Sequence, residues 1–455
     1  MRTRRISIAV LLVFSLACNF VTGRFNPPAP TPALLHTPAG FSPAYVPPGC
    51  EGAALATVPA ATQLAVPTPE LQANPEISKE IQLRVFDTTV DTIDKVYVYP
   101  DFNGVDWPAV VAKHRSAVQA GLSTEAFYEE MQALVDELGD DHSHFESPVE
   151  VAESDAELAG SSEFVGIGVS VMPQIEKNRA TILAVYPDSP AEHGGLMPHD
   201  TILAADGLPV VENGQAFIQR VRGPECSAVN MTVQSPGKAP RDVLLIRHRI
   251  SGGTPVDARL VPTADGSRVG YIMLPTFFDQ TVPEKVRRAL EAFGDLDGLI
   301  LDNRLNGGGS STVVEPILAF FTSGKLGSFK SRAGSRPLNI EADPIHNSQS
   351  VPLVVLVGPE TVSYGEIFSG ALKDVGRALI VGQTTLGNVE TLHGYDFEDD
   401  SRLWIAEETF DPVVSHADWE AIGIVPDVEA YADWDTFTFE TDPSVAAALT
   451  LLGHQ

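Results

Sequence analysis

The sequence predicts a multidomain α/β protein whose folded regions follow an N-terminal signal segment and linker. Apolar residues recur at helical spacing through residues 75–150, which indicates a helical N-terminal cap. Residues 160–252 alternate like strands between glycine-rich turns, which is typical of a β-rich domain. From 260 to 432 apolar strands alternate with helices, which favours an α/β layer with a mainly parallel buried sheet. Residues 433–455 remain as a C-terminal tail.

The N-terminus has the composition of a secretory signal. Met1–Arg5 contains three arginines and Ile6–Ala17 is an apolar run, so residues 1–17 form the signal segment. Cys18 stands where a bacterial lipoprotein is cleaved and acylated, although Ser15 occupies a position where leucine is usual. Lipid anchoring through Cys18, simple secretion and an uncleaved anchor remain open. Each predicts an exported protein at the cell surface or outside the cell.

The chain is strongly acidic. It carries 30 basic and 60 acidic side chains, and removal of the three signal arginines leaves a formal charge of −33. Such a surface repels nucleic acid and anionic lipid, so we expect no nucleic-acid partner. An acidic adaptation of the whole proteome explains the same composition.

The linker and the cysteines agree with an exported protein. Residues 18–74 are rich in Pro, Ala and Thr without helical or strand periodicity, which indicates a semi-extended linker. The cysteines beyond Cys18 are Cys50 and Cys226. In an oxidising compartment they can form a disulfide bond, and two inert thiols are the alternative.

The cap owes its prediction to apolar positions three or four residues apart. These positions are Ile81, Val85, Phe86, Val90 and Ile93, then Phe127, Met131, Leu134, Val135 and Leu138. The pattern predicts amphipathic helices that bury one face.

The β-rich domain resembles a PDZ domain. Phe164–Val171 alternates like a strand, Pro187–Asp200 holds a short helix between turns, and the strand Thr201–Ala205 follows. Glycines, helix and strand fall in the order of the PDZ fold from about residue 162 to residue 250. The resemblance implies that the loop Gly166-Ile167-Gly168 presents N–H groups to a peptide C-terminal carboxylate while a strand edge accepts the peptide.

Ser363 is the candidate nucleophile of the α/β region. The segment Thr361–Arg377 follows a buried strand and opens a helix, so the serine lies at a sharp strand-to-helix turn. The helix N-terminus there favours developing negative charge. An ordinary N-cap serine is the alternative interpretation.

Several motifs together resemble the carboxyl-terminal processing proteases. Besides the PDZ-like domain and the serine segment, they are Asp302–Gly309 and Gly423–Asp427, and the resemblance covers about residues 75 to 430. It implies a crotonase-like α/β serine peptidase domain in which Ser363 is the nucleophile. The N–H groups of Tyr364 and of Gly307 or Gly308 would form the oxyanion hole.

The resemblance fails at the general base. In the family members with a Ser-Lys dyad a lysine follows the serine by 25 positions, and this position is Asn388 here. Asn388 has no amine to accept a proton. The protein is therefore either inactive or supplied with a base from elsewhere in the chain.

A related family, the tricorn core proteases, uses histidine and glutamate instead. Its histidine precedes the PDZ-like region, which corresponds to His142, and its glutamate precedes the Gly-Val-x-Pro-Asp type motif, which corresponds to Glu420. The resemblance implies a relay from Glu420 through His142 to Ser363. His144 is the reserve base and His416 a more distant one.

The histidine segment has simpler interpretations as well. Asp140–His144 is a polar loop or, with its two histidines and its carboxylates, a metal site. We expect no metal and no cofactor, because a third cluster of strong ligands is not evident. On the serine helix, Glu366 and Lys373 are interpreted as a structural carboxylate and a solvated lysine.

The sequence therefore predicts an exported serine endopeptidase of the C-terminal processing type that acts on C-terminal polypeptide segments. A membrane tether through Cys18 belongs to the lipid-anchored alternative. The rival functions are a catalytically inactive peptide-binding scaffold and a carrier of apolar ligands on the same fold.

Overall fold

The computed structural model describes residues 43, 45–51, 74–140, 142–158, 164–250 and 253–454. The predicted signal segment, Cys18, most of the linker and Asp141 lie outside these residues. The described residues divide into two compact units. The first unit holds residues 164–250, 432–441 and those described between 43 and 51, and the second holds 74–158, 253–431 and 442–454.

The cap of the second unit is helical, as predicted. Its elements are α1 (Lys79–Val96), α2 (Trp107–Ala120), α3 (Thr124–Asp136), β1 (His144–Glu146) and α4 (Pro148–Leu158). Ser78, Asp106 and Ser123 accept N–H groups from the first turns of α1, α2 and α3, which is why the helices begin there. The apolar faces of α1 and α3 share one core with Leu403 and Ile405, far along the chain.

The first unit is β-rich. Its elements are β2 (Phe164–Gly166), β3 (Val169–Gln174), β4 (Arg179–Val185), α5 (Pro190–His193), β5 (Thr201–Ala205), β6 (Leu208–Pro209), β7 (Val211–Glu212), β8 (Gln215–Ala216), β9 (Ala228–Gln234), β10 (Arg241–Ile246) and β11 (His248–Ile250). The main sheet is antiparallel with the order β10-β9-β5-β4-β3, and β6 pairs with β5. Strand β3 therefore ends this sheet.

A disulfide bond and a returning segment belong to the first unit. Cys50 and Cys226 are bonded, with 5.2 Å between their Cα atoms, which decides between the disulfide bond and the two inert thiols that the sequence left open. Residues 432–441 join this unit because Lys177 forms ion pairs with Asp433 at 2.7 Å and Asp435 at 2.9 Å.

The rest of the second unit is an α/β layer with a second sheet. Its elements are β12 (Ala258–Val261), β13 (Val269–Met273), α6 (Val282–Phe293), β14 (Gly298–Asp302), α7 (Ser311–Phe321), β15 (Gly324–Ser331), β16 (Gly334–Ile340), β17 (Leu353–Val357), α8 (Tyr364–Asp374), β18 (Leu379–Gly382), β19 (Thr391–Asp396), β20 (Arg402–Pro412), α9 (Trp419–Ile422), β21 (Val428–Glu429) and α10 (Pro443–Leu451). The strands of the α/β layer form one sheet with the order β12-β13-β14-β17-β18-β21, and the pairs from β13 onward are parallel. Strands β13, β14 and β17 are buried along their whole length, which explains their unbroken apolar sequences. The second sheet has the order β1-β20-β15-β16, with β19 beside β20. Of the helices described, none is long and apolar enough to cross a bilayer.

Candidate active site

Ser363 lies at the turn between β17 and α8, in a backbone conformation that side chains rarely adopt. Its φ is 55° and its ψ is −125°. A non-glycine residue pays for such a conformation with about 1–3 kcal/mol, and these conformations cluster at functional sites. Gly308 packs against the turn so closely that a Cβ there would lie 2.8 Å from Ser363 Cβ and 3.0 Å from Val362 O. Glycine at 308 is therefore a steric requirement of the serine turn.

Glu366 ties the serine turn to the segment 385–388. Its carboxylate accepts hydrogen bonds from the Thr385 hydroxyl at 2.5 Å and from the N–H groups of Gly387 and Asn388, each at 2.8 Å. The Ser363 N–H donates to the same carboxylate at 3.3 Å. Burial raises the pKa of Glu366, and these bonds oppose the rise. Glu366 is thus structural and fixes the position of residue 388 beside the serine.

Asn388 adjoins Ser363 directly. The carbonyl oxygen of Asn388 accepts the Ser363 N–H at 2.9 Å. The residue at the family's lysine position therefore lies next to the serine, but its side chain has no amine with which to accept a proton.

The loop before α7 is fixed by a buried ion network. Arg304, 8% exposed, bonds Asp302 and Asp442, each at 2.6 Å, and Asp302 also accepts the Tyr271 hydroxyl at 2.7 Å. Burial opposes the charge on Arg304, yet the two carboxylates hold its pKa well above the usual range. This network braces the loop Asp302–Gly309.

The proposed oxyanion donors differ in what they already bind. The Gly308 N–H donates to Asn306 Oδ1 at 3.0 Å, so it is committed to its own loop. The N–H groups of Gly307 and Tyr364 have no acceptor among the described residues. An added Cβ at Gly307 would meet nothing within 4 Å, so space is open there. Of the two glycines the sequence allowed, the geometry favours Gly307.

His142 lies in a turn held by Asp140, whose Oδ1 accepts the N–H groups of His142 at 3.0 Å and Ser143 at 2.5 Å. The imidazole is 13% exposed, and its Nδ1 lies 3.9 Å from Glu390 Oε2. Nδ1 has no hydrogen-bond partner among the described residues. Burial lowers the pKa of His142 to about 4, against the attraction of Asp140. The imidazole is therefore neutral at pH 7, as a general base requires.

Glu420 contacts a second carboxyl group rather than the histidine. It lies in α9, and its Oε2 accepts the Val389 N–H at 2.7 Å. Its carboxyl group is also hydrogen-bonded to that of Glu390, and burial and this neighbour raise the pKa of Glu420 to about 9. The expected direct contact between Glu420 and His142 is replaced by Glu390, which stands between them.

Glu390 is the site residue that sequence reasoning missed. It is 3% exposed and accepts the Tyr99 hydroxyl at 2.7 Å. It follows Asn388 by two positions, so the segment 388–390 contacts Ser363 at one end and both His142 and Glu420 at the other. No motif marks it, because its partners come from separate parts of the chain.

The remaining candidates have partners away from the serine. His144 Nδ1 bonds the carbonyl of His142 at 3.0 Å, and its Nε2 lies 3.7 Å from Glu146. Burial lowers the pKa of His144, but Glu146 and this carbonyl outweigh it and the net change is upward. His416 pairs with Asp411 at the surface, and Lys373 bonds the Val425 carbonyl and Asp427. The described residues contain no cluster suited to a metal ion.

The PDZ-like loop belongs to the first unit. Ile167 is 1% exposed, its carbonyl accepts the Ala191 N–H, and the carbonyl of Gly168 accepts the Tyr186 N–H. Gly168 has φ 83°, and a Cβ there would come within 2.3 Å of Ser189 Cβ. The loop Gly166–Gly168 is therefore held by its carbonyl groups and leads directly into the edge strand β3.

Comparisons with known proteins agree with this architecture. The family model for peptidase family S41 matches residues 268–430, and that for the PDZ domain matches residues 181–235. The carboxyl-terminal-processing protease of Synechocystis sp. is 30% identical over 382 residues, 79% of this chain and 84% of that protein. The chloroplastic carboxyl-terminal-processing peptidase 2 of Arabidopsis thaliana is 28% identical over 350 residues, 74% of this chain and 66% of that protein.

Solved structures share the fold. A photosystem II D1 C-terminal processing protease has a TM-score of 0.53 at 24% identity and covers 80% of this chain and 96% of its own. A structure described as an S41 protease from Bacteroides fragilis has a TM-score of 0.56 at 17% identity and covers 83% of this chain and 98% of its own.

Proposed function

Because the chain belongs to peptidase family S41, the carboxyl-terminal-processing serine proteases, we propose that it is an exported endopeptidase that cleaves C-terminal polypeptide segments with Ser363 as nucleophile and His142 as general base. Glu420 is the acidic member of the relay, and the PDZ domain binds substrate C-termini through Gly166–Gly168. One observation carries this proposal. The segment 388–390 lacks the dyad lysine, yet it contacts Ser363 at one end and both His142 and Glu420 at the other.

The chemistry is amide hydrolysis through an acyl-enzyme. His142 takes the proton of the Ser363 hydroxyl as its oxygen attacks the scissile carbonyl, whose electron pair moves onto the oxygen. The N–H groups of Gly307 and Tyr364 stabilise that oxyanion. Collapse of this tetrahedral intermediate expels the amine, which takes the proton from His142. Water then attacks the acyl-enzyme with His142 again as the base, and the peptide acid leaves as the Ser363 oxygen regains its proton.

Export is supported by the disulfide bond as well as by the N-terminal composition. The Cys50–Cys226 bond persists in an oxidising compartment, and a reducing cytosol disfavours it. We propose a location outside the cytoplasm. The anchoring of Cys18 is testable by metabolic labelling with a fatty-acid analogue, which should be lost in Cys18→Ala.

A fluorophosphonate probe tests the nucleophile. The probe should label the wild-type protein and leave Ser363→Ala unlabelled, because it reacts with activated serine hydroxyls. Ser369→Ala is a matched control on the same helix and should be labelled like the wild type. Labelling of Ser363→Ala at the wild-type level would contradict the assignment.

A peptide-binding scaffold is the second candidate, and Asn388 is the observation that favours it. Such a protein would bind peptide C-termini with the wild-type chain but would neither react with the probe nor hydrolyse the peptide. The same labelling experiment therefore separates the two functions.

A further inference from the structure

Two carboxyl groups, those of Glu390 and Glu420, lie on the side of the proposed base His142 where one was expected. Glu390 Oε2 lies 3.9 Å from His142 Nδ1, while Glu420 contacts the Val389 N–H and Glu390 itself. We propose that Glu390 is the positioning residue that accepts the hydrogen bond of His142 Nδ1–H, an inference that rests on the function proposed above. Glu420 acts through Glu390, as a protonated acid that donates a hydrogen bond to it.

The contacts of Glu390 are those of an acceptor. The Tyr99 hydroxyl donates to Oε1 at 2.7 Å, which leaves Oε2 on the side of His142. Glu390 is 3% exposed, so solvent does not compete for this oxygen. His142 Nδ1 is buried without another partner among the described residues, and a protonated imidazole there needs an acceptor. Glu390 supplies it after a movement of about 1 Å, because a hydrogen bond needs a separation of about 2.9 Å.

Glu420 has the contacts of the proton-bearing partner. Two carboxyl groups form a hydrogen bond only when one of them keeps its proton. Burial and the charge of Glu390 raise the pKa of Glu420 to about 9, so Glu420 carries that proton at pH 7. Its Oε2 accepts the Val389 N–H at 2.7 Å, which fixes the orientation of the carboxyl group.

The surroundings of the pair are mostly acidic or neutral. The titratable groups that interact with it are Tyr97, Tyr99 and His142 from the cap and Glu366 from α8. Around them, Asp140 and His144 act on His142, and Asp418 acts on Tyr99. Like charges so close together favour retention of one shared proton by the carboxyl pair. The pair therefore offers a single negative charge to the imidazolium that forms when His142 takes the proton of Ser363. The proton of Glu420 stays in place throughout.

Substitution by glutamine distinguishes the two carboxyl groups. Glu390→Gln removes the negative acceptor, so we expect kcat/KM to fall by about a hundredfold or more. Glu420→Gln keeps a neutral donor of the same shape, so we expect a loss below about tenfold. The matched control is Glu407→Gln, which removes the carboxylate of another Tyr–Glu pair, that of Tyr395, and should leave kcat/KM unchanged. Glu390→Asp should recover part of the lost rate.

The titration of His142 gives a readout that needs no catalysis. In a Ser363→Ala background, NMR should show that Glu390→Gln lowers the His142 midpoint by about one pH unit, because the imidazolium loses its negative neighbour. Glu420→Gln should shift it much less. A role of Glu390 in folding alone would lower the melting temperature without this pattern.

The outcomes separate this proposal from the proposed function. If Glu420→Gln is impaired as much as Glu390→Gln, or if Glu390→Gln leaves the His142 midpoint in place, the positioning role of Glu390 is wrong even when Ser363 and His142 are essential. If the wild type reacts with no serine probe, the proposed function fails, and the NMR titration still decides which carboxyl group faces the imidazole.

Discussion

The two sides of the serine turn are built with opposite electrostatics. On the oxyanion side, the loop Asp302–Gly309, a buried Arg304 is neutralised by Asp302 and Asp442 at 2.6 Å. On the base side, formed by Asp140, His142 and His144 with Glu390 and Glu420, two carboxyl groups share one hydrogen bond. The neutral imidazole of His142 lies 3.9 Å from one of them. The oxyanion side has its charges paired before substrate arrives, whereas the base side holds the imidazole that takes up and returns a proton.

This difference indicates that the oxyanion side holds the backbone donors in place and the base side transfers the proton. Opposite charges with bonded geometry fix the backbone donors that must already point at the oxyanion, since preorganised donors need no rearrangement during the reaction. The carboxyl pair, which keeps one proton, has a single negative charge that stabilises the imidazolium when His142 takes the Ser363 proton. Changes on the oxyanion side should therefore affect stability, and changes on the base side should affect the rate and its dependence on pH.

The largest expected effect lies between the two sides. Ser363→Ala removes the nucleophile from the point where both sides meet and takes no volume from the core. Loss of a triad member in serine peptidases costs on the order of 10⁴ to 10⁶ in turnover. Hydrolysis of a peptide substrate measures it, with an unchanged melting temperature as the control. Cleavage within tenfold of wild type would show that another nucleophile operates.

On the base side, substitutions of His142 and Asn388 should lower kcat/KM to different extents. His142→Ala should lower kcat/KM by about 10²- to 10⁴-fold, because general base catalysis is lost. Asn388→Ala should change it by less than about tenfold, since Asn388 holds Ser363 through its backbone carbonyl. In the wild type, the acid limb of kcat/KM should lie near the His142 pKa of about 4 and below the usual histidine value. If His142→Ala and His144→Ala both keep the wild-type rate and profile, the histidine base is wrong.

A substitution on the oxyanion side should lower the free energy of unfolding. Arg304→Met leaves Asp302 and Asp442 buried without their cation, and breaking a buried pair in this way costs about 3–5 kcal/mol of unfolding free energy. Arg84→Met is the control, because the Arg84–Glu398 pair is about half exposed and such pairs contribute at most about 1 kcal/mol. Urea unfolding of both variants measures the difference. Equal losses would mean that the Arg304 network does not brace the loop.

The sequence predicted the parts of this site that local patterns encode. A buried apolar strand followed by a helix start indicates the Ser363 turn, and the glycines of 307–309 indicate close backbone approach, because both follow from a few consecutive residues. The resemblance to the Ser-Lys dyad proteases implied that position 388 lies at the serine, and the carbonyl oxygen of Asn388 accepts the Ser363 N–H at 2.9 Å.

The remaining features depend on contacts between distant segments. Glu390 could not be predicted, because Tyr99, His142 and Glu420 reach it from three separate regions. The choice of Gly307 over Gly308 depends on one hydrogen bond from Asn306, which no pattern specifies. Residues 432–441 likewise join the first unit through ion pairs with Lys177 and not through a repeat or motif.

The smallest predicted effect is a contribution of His142 to acid sensitivity. Burial holds its folded-state pKa near 4, against about 6.5 in the unfolded chain, so between these values the unfolded state binds a proton that the folded state does not. Stability therefore falls as the pH drops through 6.5, and the loss levels off below 4. At pH 5 this difference amounts to about 2 kcal/mol. His142→Gln should lack that part of the loss between pH 7.5 and pH 5 in urea unfolding, whereas His416→Gln, whose ring is exposed beside Asp411, should match the wild type. An equal loss in wild type and His142→Gln would mean that the imidazole is not held neutral by burial, and the contrast between the paired oxyanion side and the titrating base side would no longer hold.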